Sequence, residues 1–229
     1  MSIFSPDGED GFPGNFTLKV LFTLTEDNEL KLDYHASTDN PTVCNLTNHW
    51  FTNLAGHDAG TILDHHLLVN VAYYTPADVS SIPTGQMAPV EGTPLDFRQM
   101  TRIGDRIKDD FEQLKFTRGY DQNFVVNKTG NGFALAAILY DPVSGRVMEV
   151  KTTEPGLQVY TANVLSGKDN EVGKGGIRYQ AQSSICLETQ HFPDSPNKPD
   201  FPSTLLLPGE DYVSTTIYRF GVKSEMDGD

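Results

Sequence analysis

Phe16-Thr-Leu-Lys-Val-Leu-Phe-Thr-Leu24, then Thr25-Glu-Asp-Asn-Glu29, then Leu30-Lys-Leu-Asp-Tyr-His-Ala36 reads as strand, turn and strand. Phe16, Leu18, Val20, Phe22 and Leu24 alternate with Thr17, Lys19, Leu21 and Thr23. Leu30, Leu32, Tyr34 and Ala36 alternate in the same way with Lys31, Asp33 and His35. A period of two puts every second side chain on one face of a strand, and a polar pentad between two such runs predicts a hairpin. A second hairpin is predicted from 133–140 through Asp141-Pro-Val-Ser-Gly145 into 146–152. There Pro142 presets φ for a turn, and Gly145 can take the left-handed conformation that such a loop uses. Further strands are predicted over 157–163, 184–190 and 212–222, whereas 103–114 is expected to form a short helix or an irregular loop. No repeat, low-complexity tract or linker divides the chain. Residues 1–229 are therefore predicted to form one all-β, sandwich-like domain with long connecting loops.

Composition narrows the function. Twenty glycines and 14 prolines in 229 residues supply the turns that an all-β chain needs. Lys and Arg number 17 against 31 Asp and Glu, a formal charge of −14, and no basic cluster interrupts that surface. Such a field repels polyphosphate and anionic lipid, so neither nucleic acid nor a membrane surface is expected as a partner. A neutral ligand such as a sugar meets no such barrier. The longest clean apolar run, 133–140, is strand-sized and far short of the ~20 residues of a membrane span. The opening Met1-Ser-Ile-Phe-Ser-Pro-Asp-Gly8 lacks the charged start and apolar stretch of a secretory signal, so the expected location is the cytoplasm. Cys44 and Cys186 are too few for a disulfide framework and lack metal-ligand spacing; both are expected to be buried thiols, with no metal.

The loops and strand ends carry the chemistry. His49, Trp50 and Phe51 lie in Asn45-Leu-Thr-Asn-His-Trp-Phe-Thr-Asn-Leu-Ala-Gly56, a segment with neither helical nor strand period. Asp121 stands in Gly119-Tyr-Asp-Gln-Asn-Phe124, ahead of a predicted strand. On the strand through Cys186-Leu-Glu-Thr-Gln190, Cys186, Glu188 and Gln190 share one face and Ile185 and Leu187 the other, so a core-facing Ile/Leu pair aims Glu188 away from that core. Gln158 likewise shares a face with Tyr160. His65 and His66 are expected at the surface. His191 falls on the face opposite Glu188 and is read as structural, and Asp96 and Arg98 as a pair holding a loop. The proline-rich stretch 193–202 is read as a surface crossing.

Several long motifs in order resemble those of the aldose 1-epimerase family: Ser5-Pro-Asp-Gly-Glu-Asp-Gly-Phe-Pro-Gly14, Asn45-Leu-Thr-Asn-His49, Gly92-Thr-Pro-Leu-Asp-Phe-Arg98, Gly119-Tyr-Asp121, Thr153-Glu-Pro-Gly-Leu-Gln158 and Cys186-Leu-Glu-Thr-Gln-His-Phe-Pro-Asp194. The resemblance implies a β-supersandwich with a sugar cleft and an aldohexose substrate whose α and β anomers are interconverted. It implies His49 as the general acid at the ring oxygen and Glu188 as the general base at the anomeric hydroxyl. Asp121 and Gln158 are implied as sugar-binding residues. The chemistry agrees: opening a hemiacetal takes a proton from O1 and delivers one to O5, which a carboxylate and an imidazole do without metal or cofactor. Hydroxyls of the sugar then need fixed polar partners.

Two departures from the family pattern matter. Trp50-Phe51-Thr52 stands where relatives have Ser-Tyr-Phe, so Trp50 and Phe51 are expected to shape one wall of the cleft. The likeness covers the C-terminal portion of longer relatives. Their N-terminal portion carries an arginine, a second histidine and strands of the sandwich. The expectation is therefore an aldose 1-epimerase of weak activity or none, with exposed sheet edges; the alternative is a non-catalytic sugar-binding remnant or a truncated gene product.

Overall fold

The computed structural model describes residues 1–130, 132–168 and 172–223. The N-terminal strands are β1 (Ser2–Ser5), β2 (Phe16–Leu24), β3 (Glu29–Thr38) and β4 (Thr42–Val43). Next come β5 (His66–Val69), β6 (Val71–Tyr74), β7 (Ala88–Pro89) and β8 (Thr101–Arg102). After the short helix α1 (Glu112–Thr117) follow β9 (Asp121–Val126), β10 (Ala134–Tyr140), β11 (Arg146–Thr152) and β12 (Gly156–Tyr160). The last are β13 (Cys186–Gln190), β14 (Leu205–Leu206) and β15 (Tyr212–Val222). An eight-stranded sheet runs β1-β2-β3-β15-β11-β10-β5-β8, a five-stranded sheet runs β13-β12-β9-β6-β7, and β14 pairs with β4. Each named pair is antiparallel.

Both predicted hairpins form. In the first, Leu18 faces Ala36, Val20 faces Tyr34 and Phe22 faces Leu32, so the apolar faces of β2 and β3 coincide. In the second, the Asp141 carboxylate accepts from the backbone of Val143 and Ser144 and from the Ser144 hydroxyl, and Gly145 takes φ 72°. A Cβ at Gly145 would stand 2.6 Å from the Lys223 carbonyl, so the turn admits only glycine without displacement.

The core lies between the two sheets. Leu32, Leu67, Val69, Leu139, Met148 and Val150 from the larger sheet meet Phe124, Leu157, Val159 and Leu187 from the smaller one. Phe97 and Tyr120, fully buried from connecting segments, close the end with rings 5.0 Å apart. Burying each such side chain contributes about 1.5–3 kcal/mol, which is what fixes the strand registers. The apolar face of β2 outruns this cover: Val20 is buried, yet Phe22 and Leu24 are 50% and 80% exposed.

The structure adjusts three expectations. The strand predicted over 157–163 stops at Tyr160, because Ala162 takes φ 51° and the Thr161 and Asn163 side chains turn back to the Tyr120 backbone. The 103–114 segment holds a single 3-10 turn (Ile103–Asp105), with α1 beginning at Glu112 and running on to Thr117. His65 is not at the surface. It is buried, its Nε2 accepts the Leu54 amide at 3.2 Å, and burial pushes its pKa down, which favours a neutral ring suited to that acceptor role. His66 is half-buried against Tyr140. Arg98 does grip Asp96, at 2.9 and 2.8 Å. Among the described residues no helix is long and apolar enough to cross a membrane.

Candidate active site

One face of the five-stranded sheet is polar because of register. Across β9, β12 and β13, Asp121, Tyr160 and Cys186 form one row, and Asn123, Gln158 and Glu188 the next. Gly156 sits between Val125 and Gln190 in the third row. Residues at every second position project from this face, while Phe124, Leu157, Val159 and Leu187 project into the core. Gly156 keeps the rows close: a Cβ there would stand 2.6 Å from Asn123 Oδ1 and 2.9 Å from the Gln190 carbonyl. Gly119, at φ 151°, lets the strand carrying Asp121 enter against Asn163 and Thr161. Tyr120 N then donates to Thr161 Oγ1 at 3.1 Å, and Asn163 Nδ2 to the Tyr120 carbonyl at 2.9 Å.

His49 arrives from above, on an extended loop held by its own asparagines. Asn45 donates to the His191 carbonyl at 3.1 Å and accepts from its amide at 3.0 Å. The Asn48 amide donates to Tyr34 and accepts from the Tyr218 hydroxyl at 3.1 Å. Asn53 donates to the carbonyls of Gly60 and Ser183. These polar groups explain why the segment has no periodicity: its residues are spaced to reach partners on four different segments, not to fill one face.

The result is a cavity of about 850 Å³ lined by His49, Phe51, Asp121, Gln158, Tyr160 and Glu188, with Gln190 and Arg118 among the others. His49 Nε2 lies 3.5 Å from Glu188 Oε1, and His49 Nδ1 lies 3.4 Å from Cys186 Sγ. The ring meets Phe51 at 4.9 Å and Tyr160 edge-on at 5.7 Å. Gln158 Nε2 donates to Asp121 Oδ1 at 2.7 Å. Burial raises the Glu188 pKa to about 7; the nearby His49 charge opposes that rise, and Asp121 adds to it. Burial raises Asp121 as well, against the hydrogen bond from Gln158 and the charge of His49. Burial holds the Cys186 thiol far above its ordinary value, so it is neutral.

Five of the six residues singled out in the sequence meet here, and Trp50 does not. In an extended segment neighbouring side chains take opposite sides. Trp50 therefore stacks on Tyr218 at 5.1 Å and Phe220 at 6.3 Å, in a second cavity of about 490 Å³ that it shares with Leu54, Arg146 and Tyr179. Phe51 lines both cavities. Sequence reasoning passed over Tyr160, Cys186 and Gln190 as site members, although alternation placed each on the face of Gln158 or Glu188. Arg118, at φ 61° just after α1, had no such signal. His191 is structural as read: its Nδ1 lies 2.6 Å from Glu154 Oε2. Among the described residues His49, Cys186 and Glu188 also form a trio with donor atoms within 4.8 Å of one another, close enough for one metal ion. As placed, however, the thiol and the carboxylate meet opposite nitrogens of the ring, the pattern of a hydrogen-bonded row and not of a common centre.

Two packed antiparallel sheets form a β-sandwich that holds a buried carboxylate against an imidazole in an open cleft. The chain belongs to the aldose 1-epimerase family, whose profile matches residues 1–219. It is 42% identical over 218 residues to the galactose mutarotase of Mus musculus, an alignment covering 95% of this chain and 61% of that protein. The structure of an aldose epimerase homologue from C. elegans superposes with a TM-score of 0.85 at 28% identity, covering 96% of this chain and 64% of that one. That of galactose 1-epimerase from Lactobacillus acidophilus NCFM gives 0.83 at 31% identity, covering 96% and 61%. The chain thus spans a little over three fifths of the length of the relatives it matches.

Proposed function

We propose that residues 1–229 act as one domain that interconverts the α and β anomers of an aldohexose such as galactose or glucose. Glu188 takes the proton of the anomeric hydroxyl, and the electrons of that O–H bond form the C1=O1 bond of the open-chain aldehyde. The C1–O5 bond breaks, its electron pair stays on O5, and His49 Nε2 delivers the proton there. Rotation about C1–C2 and reversal of both transfers closes the other anomer. O1 and O5 hang on the same carbon, so the base and the acid must lie within a few ångströms of each other.

The observation that carries this reading is the 3.5 Å pairing of His49 with Glu188, the carboxylate being shifted to about 7. A base works best when its pKa lies near the working pH. Asp121 and Gln158 hold sugar hydroxyls in this reading, the two side chains being set beside each other by the 2.7 Å hydrogen bond from Gln158 Nε2 to Asp121 Oδ1. Phe51 and Tyr160 offer aromatic faces to the sugar ring. Location in the cytoplasm accords with Cys44 and Cys186, both free thiols.

Polarimetry on freshly dissolved α-D-galactose tests the proposal. Exchange faster than buffer is expected. Glu188→Gln keeps the shape of the side chain but accepts no proton, so it should lose about 10²–10⁴ in kcat with galactose binding retained. Galactose binding without any acceleration by the unaltered chain would establish the sugar-binding reading instead. A Glu188→Gln variant at full rate would place the base elsewhere.

A further inference from the structure

Cys186 and Glu188 are two residues apart on β13, so both side chains leave the same face, roughly 7 Å apart along the strand. The His49 ring spans them, with Nδ1 3.4 Å from Cys186 Sγ and Nε2 3.5 Å from Glu188 Oε1. Each ring nitrogen therefore has one fixed neighbour, and the two neighbours differ in kind. We propose that Cys186 is a positioning residue for His49: its sulfur accepts the Nδ1–H hydrogen bond, so that Nε2 alone exchanges its proton with the cleft. This rests on the reading of His49 as the acid.

The proton inventory favours this assignment. Before transfer, the acid form of the ring carries a proton on both nitrogens and Glu188 carries none. After transfer to O5, Nε2 is bare and must take that proton back when the ring closes. If His49 and Glu188 share one proton in the empty cleft, moving it from Nε2 to Oε1 also leaves Nδ1 protonated. Nδ1–H is thus the constant feature of every state the reaction visits, and it needs a constant acceptor. A thiolate would compete for that proton. Cys186 is fully buried, which keeps its sulfur neutral and a weak acceptor that holds the hydrogen bond without drawing the proton across. The neighbouring groups suit the arrangement. Phe51 and Tyr160 pack on the ring, at 4.9 and 5.7 Å between ring centres, and Cys186 Sγ is the partner that Nδ1 meets.

The tautomer is directly observable. With His49→Gln used to assign the signal among the six histidines, long-range ¹H–¹⁵N spectra at pH 8.5 should show His49 as the Nδ1–H tautomer. Cys186→Val removes the acceptor at similar volume and should shift the ring toward Nε2–H. The same variant should lose about tenfold to a hundredfold in kcat with KM little changed. That is less than the ~10⁴ lost when a triad histidine is held in the wrong tautomer, because sulfur is a weak partner. Cys186→Ser restores an acceptor and should recover the tautomer and most of the rate, which a merely structural role for the thiol would not produce. An unchanged spectrum in Cys186→Val, or a Cys186→Ser variant no better than Val in both readouts, overturns the proposal. The spectrum needs no turnover: a chain inactive before any substitution would remove the proposed activity and still decide the tautomer.

Discussion

Thr52 and Ile185 exchange both backbone hydrogen bonds, each at 2.9 Å, and this bridge ties the loop that carries His49 to the segment that leads into Cys186 and Glu188. A second stitch lies past the other end of β13, where the Asn45 amide meets both backbone groups of His191. His49 and Glu188 are 139 residues apart in sequence, yet short connections flanking one five-residue strand, with Asn53 on the Ser183 carbonyl beside the first, hold their segments together.

Asn45 should therefore matter to rate beyond its contribution to stability. Asn45→Ala removes two hydrogen bonds at a partly solvated site and should cost about 1–2 kcal/mol in chemical denaturation. Misplacement of His49 by a fraction of an ångström should lower the exchange rate further, by tenfold or more at temperatures where the variant remains fully folded. A variant that is destabilised but exchanges at the original rate would show that the Thr52 bridge and the Asn48 and Asn53 hydrogen bonds position His49 without Asn45.

Trp50 and Phe51 are adjacent, and their substitutions should separate cleanly. Trp50 packs on Tyr218 and Phe220 and does not reach the cleft, so Trp50→Ala should lower the thermal midpoint, by several degrees for the ~3 kcal/mol of a lost large aromatic, with KM unchanged. Phe51 is 49% exposed at the mouth of the cleft, so Phe51→Ala should raise KM and leave the midpoint nearly where it was. Trp50 is the only tryptophan, so its fluorescence reports the packing directly. A KM change on Trp50→Ala with the midpoint held would put its ring at the sugar after all.

Period two was the most legible signal in this chain. It located both hairpins, set Leu187 against the core and turned Glu188 the other way. What it could not supply was pairing between distant strands, and the site is made of such pairing. The short strands β6 and β7 and the polar β9, Asp121-Gln-Asn-Phe-Val-Val126, show no clean alternation, because β9 carries Gln122 and Asn123 buried on both faces. Trp50 parts from His49 for a related reason: a motif puts residues together along the chain, while an extended backbone sends neighbours to opposite sides, here onto Tyr218 and Phe220. His65 was missed because a buried neutral imidazole serving as a backbone acceptor leaves no trace in composition.

The rate should fall on the acid side near pH 7, not near the ordinary glutamate value. Glu188 works as a base only when ionised, and burial, strengthened by the charge of Asp121, delays its ionisation to about 7. kcat/KM reports the free enzyme, so it should drop about tenfold for each pH unit below that point. Asp121→Asn removes the like charge. Its rate should be lower throughout for want of a sugar contact, but its acid limb should lie at lower pH than that of the unaltered protein. An acid limb that stays in place would show that the Asp121 charge does not act on Glu188.

The same shift has the opposite sign for stability. In the unfolded chain Glu188 ionises near its ordinary 4.5, and in the fold near 7. Between those values the folded chain retains a proton that the unfolded chain releases, so raising the pH through this window favours unfolding. Above about 7 the penalty is complete, because both states are ionised and the folded one holds its charge in a buried site. Glu188→Gln removes the titration, and its thermal midpoint relative to the unaltered protein should rise from pH 4.5 to 7 and then level off. In a chain of this size about 1 kcal/mol corresponds to roughly 2–4 °C, which differential scanning measurements at matched ionic strength resolve. The variant should thus be the more stable protein at pH 8 while being the poorer catalyst, the expected cost of holding a base in a buried site. A glutamine variant less stable than the parent at pH 8, with the difference growing as the pH rises toward 4.5 and level above it, would mean that attraction to His49 outweighs burial and that the Glu188 carboxylate lies below 4.5.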